Sequence, residues 1–368
     1  MNFFILIFVL ILIPIFIATI FIPYWTRRTE SFGVSIPEEL YSRTDIQQMR
    51  KNYAILTGIL SLFVTVIFLI ISTFLPNDEN SISILFGAII IFYIIGSFLV
   101  YLKFHGGMKK LKEKENWLKE KSQQVFVDVR FRDKKLTHSN LWFFISFLIT
   151  IATIFITFQS YQQIPDRIPM QYNFAGEVTD WTEKSYRSVL LNPIMQMYLT
   201  MLFLFINTVI ARSKQQIDPD NPEESIRKNV LFRRRWSAYI IISNLALTVM
   251  FTCIQLSFIY PINQQLLTLL PLIIAIGSII GAIVLSFTTG QGGSRVKSAT
   301  GKSGNIINRD DDTYWKLGQF YFNKEDPALF LEKRFGVGWT INLARPLAWL
   351  LFLGIIGLAF AIPLLLGI

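Results

Sequence analysis

Histidine and cysteine are nearly missing from this 368-residue chain, which has two histidines, His105 and His138, and one cysteine, Cys253. A single cysteine excludes an internal disulfide framework. The lack of any HExxH or CxxC run leaves a zinc site or an intramembrane metalloprotease without ligands. Charge is scarce too, at 16% of residues against 52% hydrophobic, and it is absent from eight long apolar stretches. Ion-coupled transport ordinarily keeps ionisable groups at mid-bilayer, and none fall there. Gly301-Lys302-Ser303 has the ending of a phosphate-binding loop, but Val296 stands where its first glycine is required and no strand precedes it, which leaves a flexible basic loop. No catalytic residue, no metal and no cofactor are expected.

What the chain has is apolar length. A span needs about 20 apolar residues, and residues 3–25, 53–75, 82–102, 141–160, 189–211, 238–260, 266–288 and 347–366 each supply that. The expected fold is an all-α polytopic membrane protein of eight transmembrane helices with a small cytoplasmic β element. The first stretch has no basic residue before it and is too long for the apolar part of a signal peptide, so it is expected as a retained anchor. All but three of the 35 Lys and Arg residues fall in four loops, 26–52, 103–140, 212–237 and 289–345. The positive-inside bias makes those loops cytoplasmic and puts both termini outside, in a bacterial cell membrane. The net charge of +10 then belongs beside anionic headgroups, and direct nucleic-acid binding is not expected.

The loop at 164–185, IPDRIPMQYNFAGEVTDWTEKS, is the structured element on the opposite side. Its Ile-Pro steps hold the backbone extended, and Asn173 with Gly176 is expected to supply the positive-φ positions of a tight turn. Tyr172, Phe174 and Trp181 offer contact area, while Asp166, Arg167, Asn173, Asp180 and Lys184 offer directed polar contacts. Two readings stand side by side. In one, the loop binds a ligand through Asp166, Arg167, Asn173, Gly176, Asp180, Trp181 and Lys184. In the other it is a plug, with Trp181 in the headgroup belt and Asp166, Arg167 and Asp180 paired with each other.

The run IPDRIP, YN, G, TDW and KS within this loop resembles the core motif of the bacterial domain of unknown function 1648, which also stands at the front of SdpI-type toxin-immunity membrane proteins. Residues 314–346, YWKLGQFYFNKEDPALFLEKRFGVGWTINLARP, resemble domain of unknown function 5808. The first resemblance implies a sensing or immunity role. Gln171 stands where that family usually has histidine, which removes a titratable side chain, and the signature of the C-terminal half of SdpI-type proteins is absent.

On the basic side, residues 109–124 read as a charged juxtamembrane helix with Trp117 and Leu118 at the interface. Residues 125–131 alternate as a strand. Residues 318–322 and 328–333 read as hairpin strands about 323–327, with 335–338 leading to a further strand at 339–342. Residues 125–131 are expected to join them in a small sheet. Residues 291–308 read as a flexible tether.

Asn323, Asp326, Arg334, Asn342 and Arg345 are candidates for binding a cytoplasmic partner. Within the spans, Thr150, Thr153 and Thr157 share one face of the fourth stretch, and Asn244, Thr248, Thr252 and Gln255 one face of the sixth. These faces imply either hydrogen bonding between helices or a polar path. Gly277 and Gly281, with Ser278 and Ala282, form a small-residue packing face.

In chain order the divisions are 1–140, 141–211, 212–288, 289–346 and 347–368. The expected function is non-enzymatic: sensing of, or immunity to, an external peptide or envelope stress, relayed to a cytoplasmic regulatory protein. Besides these the only partner is the lipid bilayer. The alternative is a transporter or export accessory with its path between the fourth and sixth helices.

Overall fold

A computed structural model describes residues 3–76, 78–117, 135–173, 176–215, 222–296 and 312–366. The expected strand at 125–131 and the loop at 301–303 lie outside the described residues. Eight apolar helices follow one another: α1 (Phe3–Trp25), α2 (Thr44–Ser72), α3 (Glu79–Glu115), α4 (Phe143–Gln159), α5 (Leu191–Arg212), α6 (Pro222–Leu256), α7 (Gln264–Thr289) and α8 (Pro346–Leu366). Seven are long and apolar enough to cross a membrane, and α8 contributes a shorter apolar run, Pro346–Ile362. The chain is a multi-pass membrane protein of mostly helical fold with small two-stranded sheets.

Three helices run beyond their apolar stretches, because adding a residue to an existing helix needs no new nucleus. α2 starts at Thr44 and α6 at Pro222, both inside basic loops. α3 starts where the Asp78 side chain accepts from Ser81 N at 2.9 Å and ends at Asn116, whose φ of 51° gives the left-handed residue that closes helices. Residues 109–115 of the expected juxtamembrane helix are thus the last part of α3, and residues 118–124 lie outside the described residues. Trp117 is held just past α3, with Nε1 donating to Glu115 at 2.7 Å and the Arg43 guanidinium 5.3 Å from its ring.

The chain divides into two compact units, each discontinuous in sequence. One unit comprises 1–135, 213–233 and 282–345. In it α1, α2 and α3 pack together, and Tyr93 of α3 hydrogen-bonds Thr19 of α1 and, at 3.0 Å, Ser61 of α2. Strands β1 (Glu30–Ser31) and β2 (Val34–Ser35) form a hairpin whose two-residue turn, Phe32-Gly33, has φ of 49° and 76°, the combination a type I′ turn demands. A non-glycine residue in the left-handed region costs about 1–2 kcal/mol. Burial of a phenylalanine ring gives back about 1.5–3 kcal/mol, and Phe32 is buried among Tyr53, Tyr101, Phe104 and Phe335.

The C-terminal part of this unit has β5 (Trp315–Lys316) paired with β6 (Phe320–Tyr321), and β7 (Phe330–Glu332) paired with β8 (Trp339–Ile341). This corrects the expected hairpin about 323–327: the turns lie instead at Leu317-Gly318 and at Gly336 to Gly338, where the positive-φ residues are. Residues 291–296, expected as tether, are also ordered. Gly290, Gly292 and Gly293 have positive φ, and the Gln291 side chain clamps the Gly338 backbone at 2.7 and 2.9 Å.

The other unit comprises 136–212, 234–281 and 346–368. Here the polar faces of α4 and α6 bond each other. Asn244 Nδ2 donates to Ser146 Oγ at 2.8 Å, Gln255 Nε2 to Thr157 Oγ1 at 3.1 Å, and Thr153 meets Thr252 at 3.3 Å. α5 joins them, as the sequence reading did not foresee: Gln196 Nε2 donates to Thr252 Oγ1 and to Thr248 O, both at 2.7 Å. On α7, Tyr239 of α6 packs at Gly281 and donates to Ser278 O at 2.8 Å, while nothing approaches Gly277. Among the described residues the expected small-residue contact is therefore made at Ser278 and Gly281 and not at Gly277.

Candidate functional site

The 164–185 loop is a β-hairpin. Strand β3 (Arg167–Tyr172) pairs antiparallel with β4 (Val178–Glu183), with register shifts on either side of Gln171. The alternating Val178, Thr179, Asp180, Trp181 and Thr182 was a strand signal that the two prolines of the other arm obscured. Gly176 takes the expected positive φ, 87°, but Asn173 does not. Asn173 closes the turn through its side chain, accepting from Glu177 N at 2.8 Å and donating to Glu177 Oε2 at 2.9 Å, the local bonding by which Asn favours turns.

The base of the hairpin is fixed by Ile164, Ile168, Val189 and Phe258, which bury together. Lys184 donates to Ile164 O at 2.7 Å, lies 3.5 Å from Asp166 and stands over the Tyr161 ring. The mutual pairing expected among Asp166, Arg167 and Asp180 is replaced: Asp166 faces Lys184, Arg167 is in register with Glu183, and Asp180 accepts from Trp181 N at 2.9 Å. At the tip, a side chain added at Gly176 would come within 3.2 Å of Gln264 at the start of α7.

This leaves an outward surface of Arg167, Gln171, Asp180, Trp181 and Glu183, all exposed, with Trp181 at 51%. A hairpin also has free edges that an extended chain can pair with. Pro169 and the extra residue Met170 spoil the β3 edge, whereas β4 contains no proline and its one extra residue, Thr179, lies toward the turn, which leaves Asp180 to Glu183 in regular register.

The other unit holds a buried ionic cluster that the sequence reading missed, because its members come from residues 27 to 334. Glu332 of β7 accepts from Arg27, from Asn229 Nδ2 at 2.8 Å and from Arg233 Nη2 at 3.3 Å, with Glu332 and Arg233 wholly buried. Arg233 Nε also donates to Asn229 Oδ1 at 2.7 Å. Beside it, Asp312 accepts from Arg334, from Lys112 Nζ at 2.5 Å and from Ser35 N at 3.1 Å.

Glu30 is buried within electrostatic range of both sets, and among the described residues its Oε2 has no hydrogen-bond partner. Burial pushes its carboxyl up to about 7, against the pull of Arg27 and Arg334 and with the help of Glu332 and Asp312. The folded state therefore holds a proton that the unfolded chain gives up near 4.5. Glu30 stabilises the fold fully below that value, and the contribution fades as pH rises through about 7, a span on the order of 3 kcal/mol. The melting temperature of the purified protein is expected to fall between pH 5 and pH 8. Glu30→Gln should flatten that slope and raise stability at pH 8; an unchanged slope would show that another group titrates.

Of the five expected partner-binding residues, Asp326, Arg334 and Asn342 are buried, and Asn323 and Arg345 are partly exposed. Asn342 donates to Asn323 O at 2.8 Å and accepts from Asn323 N at 3.1 Å. Asp326 accepts from Lys214 at 2.6 Å and from Tyr321 at 2.8 Å, and Arg345 donates to Asp326 O at 2.6 Å. Arg334 belongs to the ionic cluster and also stands over Trp315. Asn323, Asp326, Asn342 and Arg345 thus brace the 323–328 loop. Among the described residues no group of His, Cys, Asp or Glu side chains could hold a metal ion.

Two short stretches match described families. Residues 148–197, which take in much of α4, the hairpin and the first turns of α5, match a domain of unknown function, DUF1648. Residues 324–349, which take in β7, β8 and the start of α8, match a family of unknown function, DUF5808. No curated protein and no solved structure matches the chain. The chain is a multi-pass membrane protein that carries a DUF1648 domain built around the β3–β4 hairpin and a DUF5808 segment that supplies Glu332 and Arg334 to the ionic cluster.

Proposed function

We propose that the chain is a non-enzymatic membrane receptor or immunity protein that takes up an extended cationic peptide on the β3–β4 hairpin from outside the cell, and relays its presence to a cytoplasmic regulatory protein. The observation that carries this reading is the anchored hairpin with a half-exposed Trp181 on the proline-free part of β4 that keeps regular register, Asp180 to Glu183. Asp166, Glu177, Asp180 and Glu183 are exposed against Arg167 and Arg187, with Lys184 facing Asp166, a small acidic excess that favours a positively charged partner. The charge bias of the loops supports an external hairpin. The polar side chains of α4 and α6 donate to and accept from each other, which supports packing there in preference to a transport path.

A cysteine at Glu177 is expected to react with an impermeant thiol reagent in intact cells; protection until lysis would reverse the orientation. Cells expressing the chain should survive several-fold higher doses of at least one member of a panel of synthetic cationic membrane-active peptides. Asp180→Ala with Trp181→Ala should abolish that protection at unchanged membrane abundance, since neither side chain is buried. Asn173→Ala is the contrasting variant and should lower abundance, because that side chain closes the turn. Protection by the Asp180 and Trp181 double variant equal to the native chain would remove the hairpin as the binding element.

A further inference from the structure

The buried arginines Arg233 and Arg334 each meet a carboxylate, and Arg50 does not. Arg50 lies in the second turn of α2, just ahead of the apolar stretch that begins at Tyr53, and so at the level of the lipid headgroups. It is 3% exposed. Its Nε and Nη2 are both sealed from solvent with no hydrogen-bond partner, and among the described residues no carboxylate pairs with it. The Tyr41 ring stacks 3.6 Å from the guanidinium carbon. A ring face satisfies no N–H donor, and burying an ion costs more than a cation–π contact returns.

We propose that Arg50, with the Tyr41 ring stacked on its guanidinium, is the receptor for one phosphate group, of an anionic lipid headgroup or free in solution. The planar fork of Arg matches two phosphate oxygens at once, which a lysine cannot do. Tyr41 sits on the short helical turn Glu38–Ser42, among partly exposed neighbours. That turn is the element that would give way to admit the ligand.

The test uses the full chain, purified without phospholipid and transferred to phosphatidylglycerol nanodiscs, to monoolein, or to monoolein with inorganic phosphate. Arg50→Gln should lower the melting temperature relative to the native chain where a phosphate is supplied. In monoolein alone it should have no effect or raise it, because there it removes an unpaired charge. An effect confined to phosphatidylglycerol assigns the headgroup, and one that appears with inorganic phosphate assigns the free anion. A loss of equal size in all three media would mean that Tyr41 alone holds Arg50, and would overturn the proposal. Should Arg50→Gln fail to fold, native mass spectrometry of Arg50→Lys replaces it. One phosphate-bearing molecule fewer than on the native chain is expected, and an equal number overturns the site.

Discussion

Glu332→Ala is expected to lower stability by about 3–5 kcal/mol, the cost of leaving buried charge without its counter-ion. The Glu332 carboxylate is wholly buried and accepts from Arg27, Asn229 and Arg233. Alanine would leave two guanidiniums without the carboxylate, one of them, Arg233, wholly buried as well. Glu332→Gln should cost less, since an amide keeps the volume and one acceptor oxygen while losing the charge. Melting in detergent and trypsin resistance of the 289–345 region would both report the loss. A fall of under about 1 kcal/mol for Glu332→Ala, the range of an exposed pair, would mean that water enters the cluster.

Gly33→Ala should be comparably severe for a different reason. At φ 76° the turn favours glycine, and an added Cβ would stand 2.5 Å from both Gly318 O and Tyr101 Oη. One obstacle is backbone. The other is a phenol held by its bonds to Leu317 O at 2.8 Å and Phe32 O at 3.3 Å, so neither yields cheaply. Left-handed strain of about 1–2 kcal/mol and overpacking of about 1–3 kcal/mol add to a loss of about 2–5 kcal/mol. Gly338→Ala is the control, because φ there is also positive, 118°, but nothing stands within 4 Å of its Cβ. It should show the strain without the collision. Equal losses at Gly33 and Gly338 would mean that the two hairpin tips do not meet as described.

Those tips show what kind of information the sequence holds. Gly33 and Gly318 are 285 positions apart, and each is an ordinary turn signal. Only the fold brings them together, with Tyr101 and His105 of α3 bonded to the carbonyls around them. In the same way, Asp326 and Asn342 suggested outward binding groups because they are polar and lie in a loop. Which way such a side chain faces depends on neighbours such as Lys214 and Tyr321.

The sequence by itself determined the membrane class, the eight helices and the polar faces of α4 and α6, because those follow from the length and period of apolar runs along one helix. It also determined the positive φ at Gly176, where local backbone geometry leaves little choice. Only the tertiary structure decided which strands pair, that α5 joins the polar contacts of α4 and α6, and that Arg27, Arg233 and Glu332 meet in one ionic cluster with Asp312 and Arg334 beside them. The physical reason is range. Hydropathy and turn geometry act within a few residues, whereas the strength of a charge pair depends on the solvent excluded around it, and that exclusion exists only once distant segments have packed.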